Sequence, residues 1–367
     1  MSMLGVRSAG HSKHKKIGSS IELVFHNCGL RRQSHKVTTS DGFILTLHQW
    51  SMVQDTDCID MQNKKPAVLL VHGLLQDSDS FVCGGTSSLV YSLAKAGNNV
   101  WTGNNRGTKY SFEHSNFPST SSNFWNFNID DLGKYDVPAM INHVIKQTGQ
   151  TKINLIGFSQ GSAQIFIALS HNSILCEKVS LFIALAPAVK TAPVDGVINH
   201  IAHTYPNLIS KIFGKLSMLS QVHGWKRLLS PEAFEKVCSY SMQLLFGWSC
   251  SEMSLKRRIE LYQHIFSSSS VQCVEHWFHI MRNGGLLCTY GTRDVVQYDI
   301  GRISCPIAVL SGGRDYLVDA SIIPLLSNTC FYTHNQNQYE HLDLIWADSA
   351  EQHIFTRVIS LIRNKST

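Results

Sequence analysis

Short unbroken apolar runs recur along the chain, at Ala67–Val71, Asn99–Thr102, Ile153–Ile156, Leu181–Ala186, Ile307–Leu310 and Phe331–Thr333. Runs without polar alternation suit strands covered on both faces, as in a parallel sheet. Upstream, Lys36–Thr39 and Phe43–Leu47 flank Asp41-Gly42, which predicts a hairpin. Between the runs, Ser87–Ala96, Asp130–Gln147 and Ser162–Ser170 read as helices. Strand and helix alternate, so an α/β fold with a mostly parallel central sheet is predicted. The alternation fails once. Val189 to Ile300, about 110 residues, is far longer than a crossover needs. An inserted, mostly helical subdomain is expected there. The expected division is a basic lead-in over 1–35, core over 36–188, the helical insertion over 189–300, and the rest of the core over 301–367.

Within the insertion Ile198, Ile201, Tyr205, Leu208, Ile212, Leu216 and Leu219 recur at three- and four-residue steps. Pro206 interrupts the pattern, which predicts two short helices in place of one long one. Residues 222–295 add His223-Gly224-Trp225, Trp248, Trp277 and Phe278, aromatic mass enough to wall an apolar tunnel.

Composition narrows the function classes. The chain has 367 residues with 32 Lys+Arg against 26 Asp+Glu, a net charge of +6. Arg7, Lys13, Lys15, Lys16, Arg31, Arg32 and Lys36 against Glu22 account for all of it, which leaves 25 of each sign downstream. A neutral body lacks the basic face of a nucleic-acid binder. The ten cysteines are scattered without CxxC pairs, and neither HExxH nor another metal-ligand spacing occurs. Reduced thiols and no metal or other cofactor are expected. Met1 to Ser20 holds no apolar stretch of a signal peptide, and no run is long enough to span a bilayer. An intracellular protein is expected, with the Lys13–Lys16 cluster available to an anionic lipid surface.

The candidate chemistry sits at predicted strand ends. Ile153–Ile156 runs into Gly157-Phe158-Ser159-Gln160-Gly161, a Gly-x-Ser-x-Gly between strand and helix. A serine pushed out of a strained strand-to-helix turn needs neighbours without Cβ atoms, and the helix N-terminus favours a developing oxyanion. Val68–Val71 ends in His72-Gly73-Leu74-Leu75, where the backbone N–H of Leu74 could join that of Gln160 as an oxyanion donor. Ile307–Leu310 leads to Gly312-Gly313-Arg314-Asp315, with Asp319 as the rival carboxylate. His341 follows the last apolar run. The order Ser159, Asp315, His341 assigns nucleophile, orienting acid and base in the sequence order of the α/β-hydrolases.

With these motifs in place, the chain resembles the acid lipases (gastric and lysosomal), and more closely their fungal-type steryl ester hydrolases. The likeness runs over roughly residues 22–362. It rests on Thr39–Leu45, Trp101-Thr102-Gly103-Asn104-Asn105-Arg106-Gly107, Phe124–Phe127, Lys134–Ala139, Ala184–Pro187, Gly312–Leu317 and His341–Trp346. The sterol side of the likeness rests on Gly157–Gln164, Gly103–Gly107 and Leu245-Phe246-Gly247-Trp248, with Phe158 where animal members usually carry His. The resemblance implies an α/β-hydrolase core under a helical cap, cleaving long-chain fatty acyl esters at a membrane or lipid-droplet surface. It carries the nucleophile to Ser159, the acid to Asp315, the base to His341 and the oxyanion donors to Leu74 and Gln160. Ala320 departs from a proline common in the family. A triacylglycerol lipase of the same family is the alternative, and a non-catalytic lipid-binding hydrolase fold is the alternative from another class.

Overall fold

The computed structural model describes residues 21–54, 64–192, 197–205, 208–214, 216–218, 226, 228–326 and 329–366. Strands β1 (Leu30–Thr38), β2 (Phe43–Met52), β3 (Ala67–Val71), β4 (Asn99–Gly103), β6 (Ile153–Phe158), β7 (Val179–Leu185), β10 (Ile307–Gly312) and β11 (Cys330–Gln336) form one sheet in the order β1-β2-β4-β3-β6-β7-β10-β11. The short β5 (Glu113–His114) adds to β2. β1, β2 and β4 meet antiparallel, and from β4 to β11 every pairing is parallel. The mostly parallel sheet is the one expected.

Every residue of β3, β4 and β6 is buried, so these strands carry no polar alternation. β11 is different. It lies at the sheet edge with alternating half-buried and exposed residues, although its apolar run was expected to be covered on both faces. The three-residue apolar stretch within it was too short to tell the two cases apart. At the hairpin, Thr38 pairs with Ile44, and Gly42 turns the chain at φ 100°. The described part of the expected lead-in also belongs to the fold. A helix, Ile21–Asn27, buries Ile21 and Phe25, and Phe25 meets Trp50 edge to face at 5.3 Å.

The helix expected over Asp130–Gln147 is interrupted. A short helical turn, Ile129–Asp131, is capped by Asn128 and runs into a wide turn, Leu132–Asp136, before Val137–Thr148. Pro138 cannot donate to the carbonyl of Lys134, which loosens the helix there. Gly133 faces the helix Gln160–His171 so closely that a Cβ would lie 2.5 Å from Ile167.

Between β7 and β10 lie helices Val197–Thr204, Leu208–Phe213, Pro231–Phe246, Leu255–Tyr262 and Val271–Arg282, with a small antiparallel pair of β8 (Ser217–Met218) and β9 (Ser269–Ser270). The first two helices are the pair expected around Pro206; Pro206, Leu219 and His223-Gly224-Trp225 lie outside the described residues, as does the Lys13–Lys16 cluster. The apolar stripe divides. Ile198 and Ile201 pack inward with Ala202, Met218, Val274 and Phe278, and this cluster rests on Leu74 and Leu75. Tyr205, Ile212 and Leu216 stay exposed.

Candidate active site

The parallel strands deliver the chemistry to their carboxyl ends, where ligands bind in open α/β sheets. β6 ends at Phe158 and the next helix starts at Gln160, which leaves Ser159 alone in the turn at φ 54°, ψ −124°. The two glycines that bracket it are required by contact. A Cβ on Gly157 would lie 2.6 Å from Ser162 Cα, and one on Gly161 would lie 2.1 Å from the Val71 carbonyl oxygen. The Ser162 hydroxyl donates to the Ser159 carbonyl at 2.6 Å and accepts from the Ala188 N–H at 2.9 Å, which secures the bend.

After β10 the glycines again serve close approach. A Cβ on Gly312 would strike the Tyr339 carbonyl oxygen at 2.3 Å, and one on Gly313 would strike Asn337 Cα at 2.6 Å. Without side chains there, the loop bearing Asp315 presses against the loop bearing His341, and Arg314 N–H donates to Tyr339 O at 2.9 Å. Asp315 Oδ2 lies 2.7 Å from His341 Nδ1, and His341 Nε2 lies 2.7 Å from Ser159 Oγ. All three residues are buried. The network assigns Nδ1–H as donor to the carboxylate and Nε2 as acceptor of the serine proton. Asp315 Oδ1 accepts from Leu317 N–H at 3.0 Å, which holds the carboxylate in line. The rival Asp319 points elsewhere. It pairs with Lys190 at 2.8 Å.

Gly73 sits over the serine: a Cβ there would come within 3.2 Å of Ser159 Cβ. Its N–H donates to Gln76 Oε1 at 3.1 Å, and Leu75 turns the loop at φ 58°. The N–H groups of Leu74 and Gln160 donate to no acceptor among the described residues. Gln160 is the first helical residue, whose N–H has no partner within its helix. His72 supports this loop from behind. Its Nδ1 donates to Gly73 O at 2.9 Å and its Nε2 accepts from Asn105 N–H at 3.1 Å, while complete burial pushes its pKa down and keeps it neutral.

Just past the loop, Asp77 and Asp79 are buried around one ammonium. Lys109 Nζ pairs with Asp79 and with Asp77 at 3.4 Å, and the Tyr110 hydroxyl donates to Asp79 at 2.9 Å. Burial first, and the Asp77 charge after it, push the Asp79 carboxyl up to about 6 from 3.8, against the pull of Lys109. The folded chain therefore holds a proton that the unfolded chain releases, and this group removes stability as pH rises through that window. Asp79→Asn is expected to flatten the fall of Tm between about pH 4 and pH 6 relative to the parent. Parallel Tm curves for the two proteins would contradict it.

Three contacts at the site have no signature in sequence spacing. Trp277 Nε1–H donates to Gln160 Oε1 at 2.8 Å, Glu340 binds the backbone after Trp248, and Trp248 stacks on His341. Trp248, Trp277 and Phe278, expected to line a tunnel, thus lie against His341, against Gln160 and within the insertion's own cluster. The void bordered by His72, Gly73 and Gln160 measures about 10 Å³, room for one water. A groove of about 950 Å³ opens elsewhere, between the first helix and the helices Pro231–Phe246 and Leu255–Tyr262, and none of Ser159, Asp315 and His341 lines it.

Comparison with known proteins places the chain. A family model of the alpha/beta hydrolase fold matches residues 66–346, and one of a partial alpha/beta-hydrolase lipase region matches residues 21–85. A Schizosaccharomyces pombe protein named a probable lipase is 36% identical over 90% of this chain and 74% of its own. Rat (Rattus norvegicus) gastric triacylglycerol lipase is 31% identical over 90% of this chain and 88% of its own. Among solved structures, the carboxylesterase CesB of Bacillus subtilis shares the fold at TM-score 0.51 and 14% identity, over 94% of this chain and 96% of its own. An epoxide hydrolase of Vigna radiata does so at 0.54 and 12%, over 92% and 98%. The chain belongs to the acid lipases of the α/β-hydrolase fold and is a carboxylic ester hydrolase. No helix among the described residues is long and apolar enough to cross a membrane.

Proposed function

We propose that this chain hydrolyses long-chain fatty acyl esters of sterols through an acyl-enzyme on Ser159. The observation that carries the reading is the hydrogen-bonded line Asp315–His341–Ser159, with both contacts at 2.7 Å, beneath an apolar insertion. His341 Nε2 takes the Ser159 proton as Oγ attacks the ester carbonyl. The oxyanion is held by the N–H groups of Leu74 and Gln160, and Asp315 stabilises the imidazolium. The imidazolium then protonates the leaving sterol, and water, activated by the same nitrogen, releases the fatty acid. Gln160 opens a helix and Leu74 lies in the turn after β3 that Gln76 braces through Gly73, so their donors need little reorganisation as charge develops.

An acyl chain gains about 0.8 kcal/mol per buried CH₂, so an apolar insertion selects long chains without a polar contact. In the closed arrangement Ser159 is only 8% exposed, and a long acyl chain enters once the insertion helices move. The exposed Leu228, Tyr240 and Leu244 on and beside Pro231–Phe246 suit a lipid-droplet or membrane surface, to which the enzyme attaches peripherally. The sterol preference is supported by the motif likeness around Ser159, Arg106 and Trp248. Triacylglycerol is the second reading, favoured by the 31% identity with rat gastric triacylglycerol lipase. Release of oleate from emulsified cholesteryl oleate and triolein, by the parent and by Ser159→Ala, separates them. The expected result is faster turnover of cholesteryl oleate, abolished by the substitution. Faster triolein turnover would transfer the assignment to the second reading, and activity surviving Ser159→Ala would remove the acyl-enzyme.

A further inference from the structure

The insertion is joined to the core one residue before His341. Glu340 is buried, and its carboxylate accepts three hydrogen bonds from the insertion. Ser249 donates twice to Oε1, through its N–H at 2.9 Å and its hydroxyl at 2.8 Å, and Cys250 N–H donates to Oε2 at 2.7 Å. Glu340 is itself held, because its N–H donates to Asp343 Oδ2 at 2.7 Å. Cys250 takes φ 53°, a conformation a side chain adopts only when its surroundings impose it.

Trp248 stands immediately before this clasp. Its indole lies 5.1 Å from the His341 ring with the two planes 7° apart, and Phe246 stacks on it in turn at 4.4 Å. The indole is buried, and its Nε1–H has no acceptor among the described residues, so no polar contact sets the ring's direction. What sets it is the stack and the backbone clasp. On the core side Phe158 approaches the same imidazole at 5.2 Å.

We propose that Trp248, fixed by the Glu340 clasp, is a positioning residue for His341: it holds the imidazole plane in line with Asp315 and Ser159 and stabilises the imidazolium when it forms. The proposal rests on His341 being the base. A ring fixed only through its two nitrogens can still tilt about the line joining them, and a parallel indole removes that freedom. The indole face is also electron-rich, and a cation over such a face is stabilised, more so when water is excluded. The other ionisable groups around the joint include Asp315, Glu340 and Asp343 from the core loops, and Cys250, Glu252, Arg258 and Tyr262 from the insertion. Arg258 is engaged with Glu235 at 2.9 Å and with the Cys250 carbonyl at 3.1 Å, so its charge is neutralised locally. The consequence is a division within the insertion. Its helices move to admit lipid, while the Trp248–Cys250 joint stays closed on Glu340 through the chemical step.

The test uses the full chain and a short soluble p-nitrophenyl ester, for which lipid entry is not limiting. Trp248→Leu is expected to lower kcat roughly 3- to 30-fold with KM within about twofold, and to move the acid limb of the kcat/KM profile to lower pH, because the imidazolium has lost its stacking partner. Trp248→Phe should recover part of both effects, and Glu340→Gln should reproduce both in weaker form. Should Trp248→Leu fail to fold, Trp248→Phe and Glu340→Gln carry the same test. An unchanged kcat, or a loss of kcat with no displacement of the acid limb, would overturn the proposal and leave Trp248 a packing residue. Ser159→Ala, measured alongside, keeps the two levels apart. If that variant stays active, the reading of the site fails; if it is inactive while the Trp248 variants match the parent, only the positioning role fails.

Discussion

With His341 replaced by alanine, kcat for a soluble ester is expected to fall by a factor on the order of 10⁵ to 10⁶, with KM nearly unchanged. The reason is geometric. His341 Nε2 lies 2.7 Å from Ser159 Oγ, and no other imidazole among the described residues reaches that oxygen, so the hydroxyl keeps its proton and remains a poor nucleophile. In the proposed reading substrate binding relies on the apolar insertion, and the oxyanion is held by the Leu74 and Gln160 amides; the substitution removes none of these. Because nucleophile and base act as one unit, the double variant Ser159→Ala/His341→Ala should be only slightly worse than either single one. Both keep the residual rate that oxyanion donors supply alone. Initial rates across the cycle of four proteins decide it. If the two losses multiply, or if His341→Ala keeps more than about a hundredth of the parent rate, Ser159 and His341 do not share a proton.

What could be read in advance follows from how far each contact reaches along the chain. The buried strands announced themselves because β3, β4 and β6 contact apolar neighbours on both faces, a property written into consecutive letters. The edge strand β11 did not, since its exposure depends on the absence of a further neighbour. Ser159, Asp315 and His341 were legible because each follows a strand end marked by glycines or an apolar run, and parallel topology brings such ends together. The Glu340 clasp was not legible. Its partners are about 90 residues away along the chain, and Tyr339-Glu340-His341 offers no local reason for a buried carboxylate. Nor was the place of Trp248, whose sequence context suggests only an apolar wall. The interruption of the helix before Val137 was half legible: Pro138 was visible, but the close passage of Gly133 against Ile167 was not.

The largest stability effect is expected at Arg106, in the Gly103–Gly107 motif. Its guanidinium is buried, with Nη1 2.6 Å from Asp41 Oδ2, Nη2 2.7 Å from Asp136 Oδ1 and its centre 4.0 Å from the middle of the Phe43 ring. Its own N–H donates to Asp136 Oδ2 at 3.0 Å, so one residue ties the β1–β2 turn to the helix that packs beside the serine. Burial alone would raise the Asp41 carboxyl, but the Arg106 hydrogen bonds and charge outweigh it and hold Asp41 low. Arg106→Ala leaves two carboxylates facing each other with no counter-ion, one of them in Asp136 fully buried. Breaking such a buried pair from one side costs about 3–5 kcal/mol, on the order of a 10 °C fall in Tm. Arg106→Lys keeps the charge but loses the planar fork that spans both acids, and should recover less than half of the loss. The Asp41 share of this pairing has a sign: it contributes fully above about pH 4 and is lost as pH falls through the depressed folded value, whereas burial pushes Asp136 up to about 6 against the pull of Arg106, so its share is complete only above that. The gap in Tm between parent and Arg106→Ala should therefore narrow under acid, as scanning fluorimetry at about pH 7 and pH 3 would read. A constant gap would mean that Arg106 acts through packing on Phe43 and not through its carboxylates. Activity should follow stability here, because Asp136 and Arg106 set the strand end whose Asn105 N–H holds His72, and His72 in turn holds the carbonyl of Gly73 above Ser159.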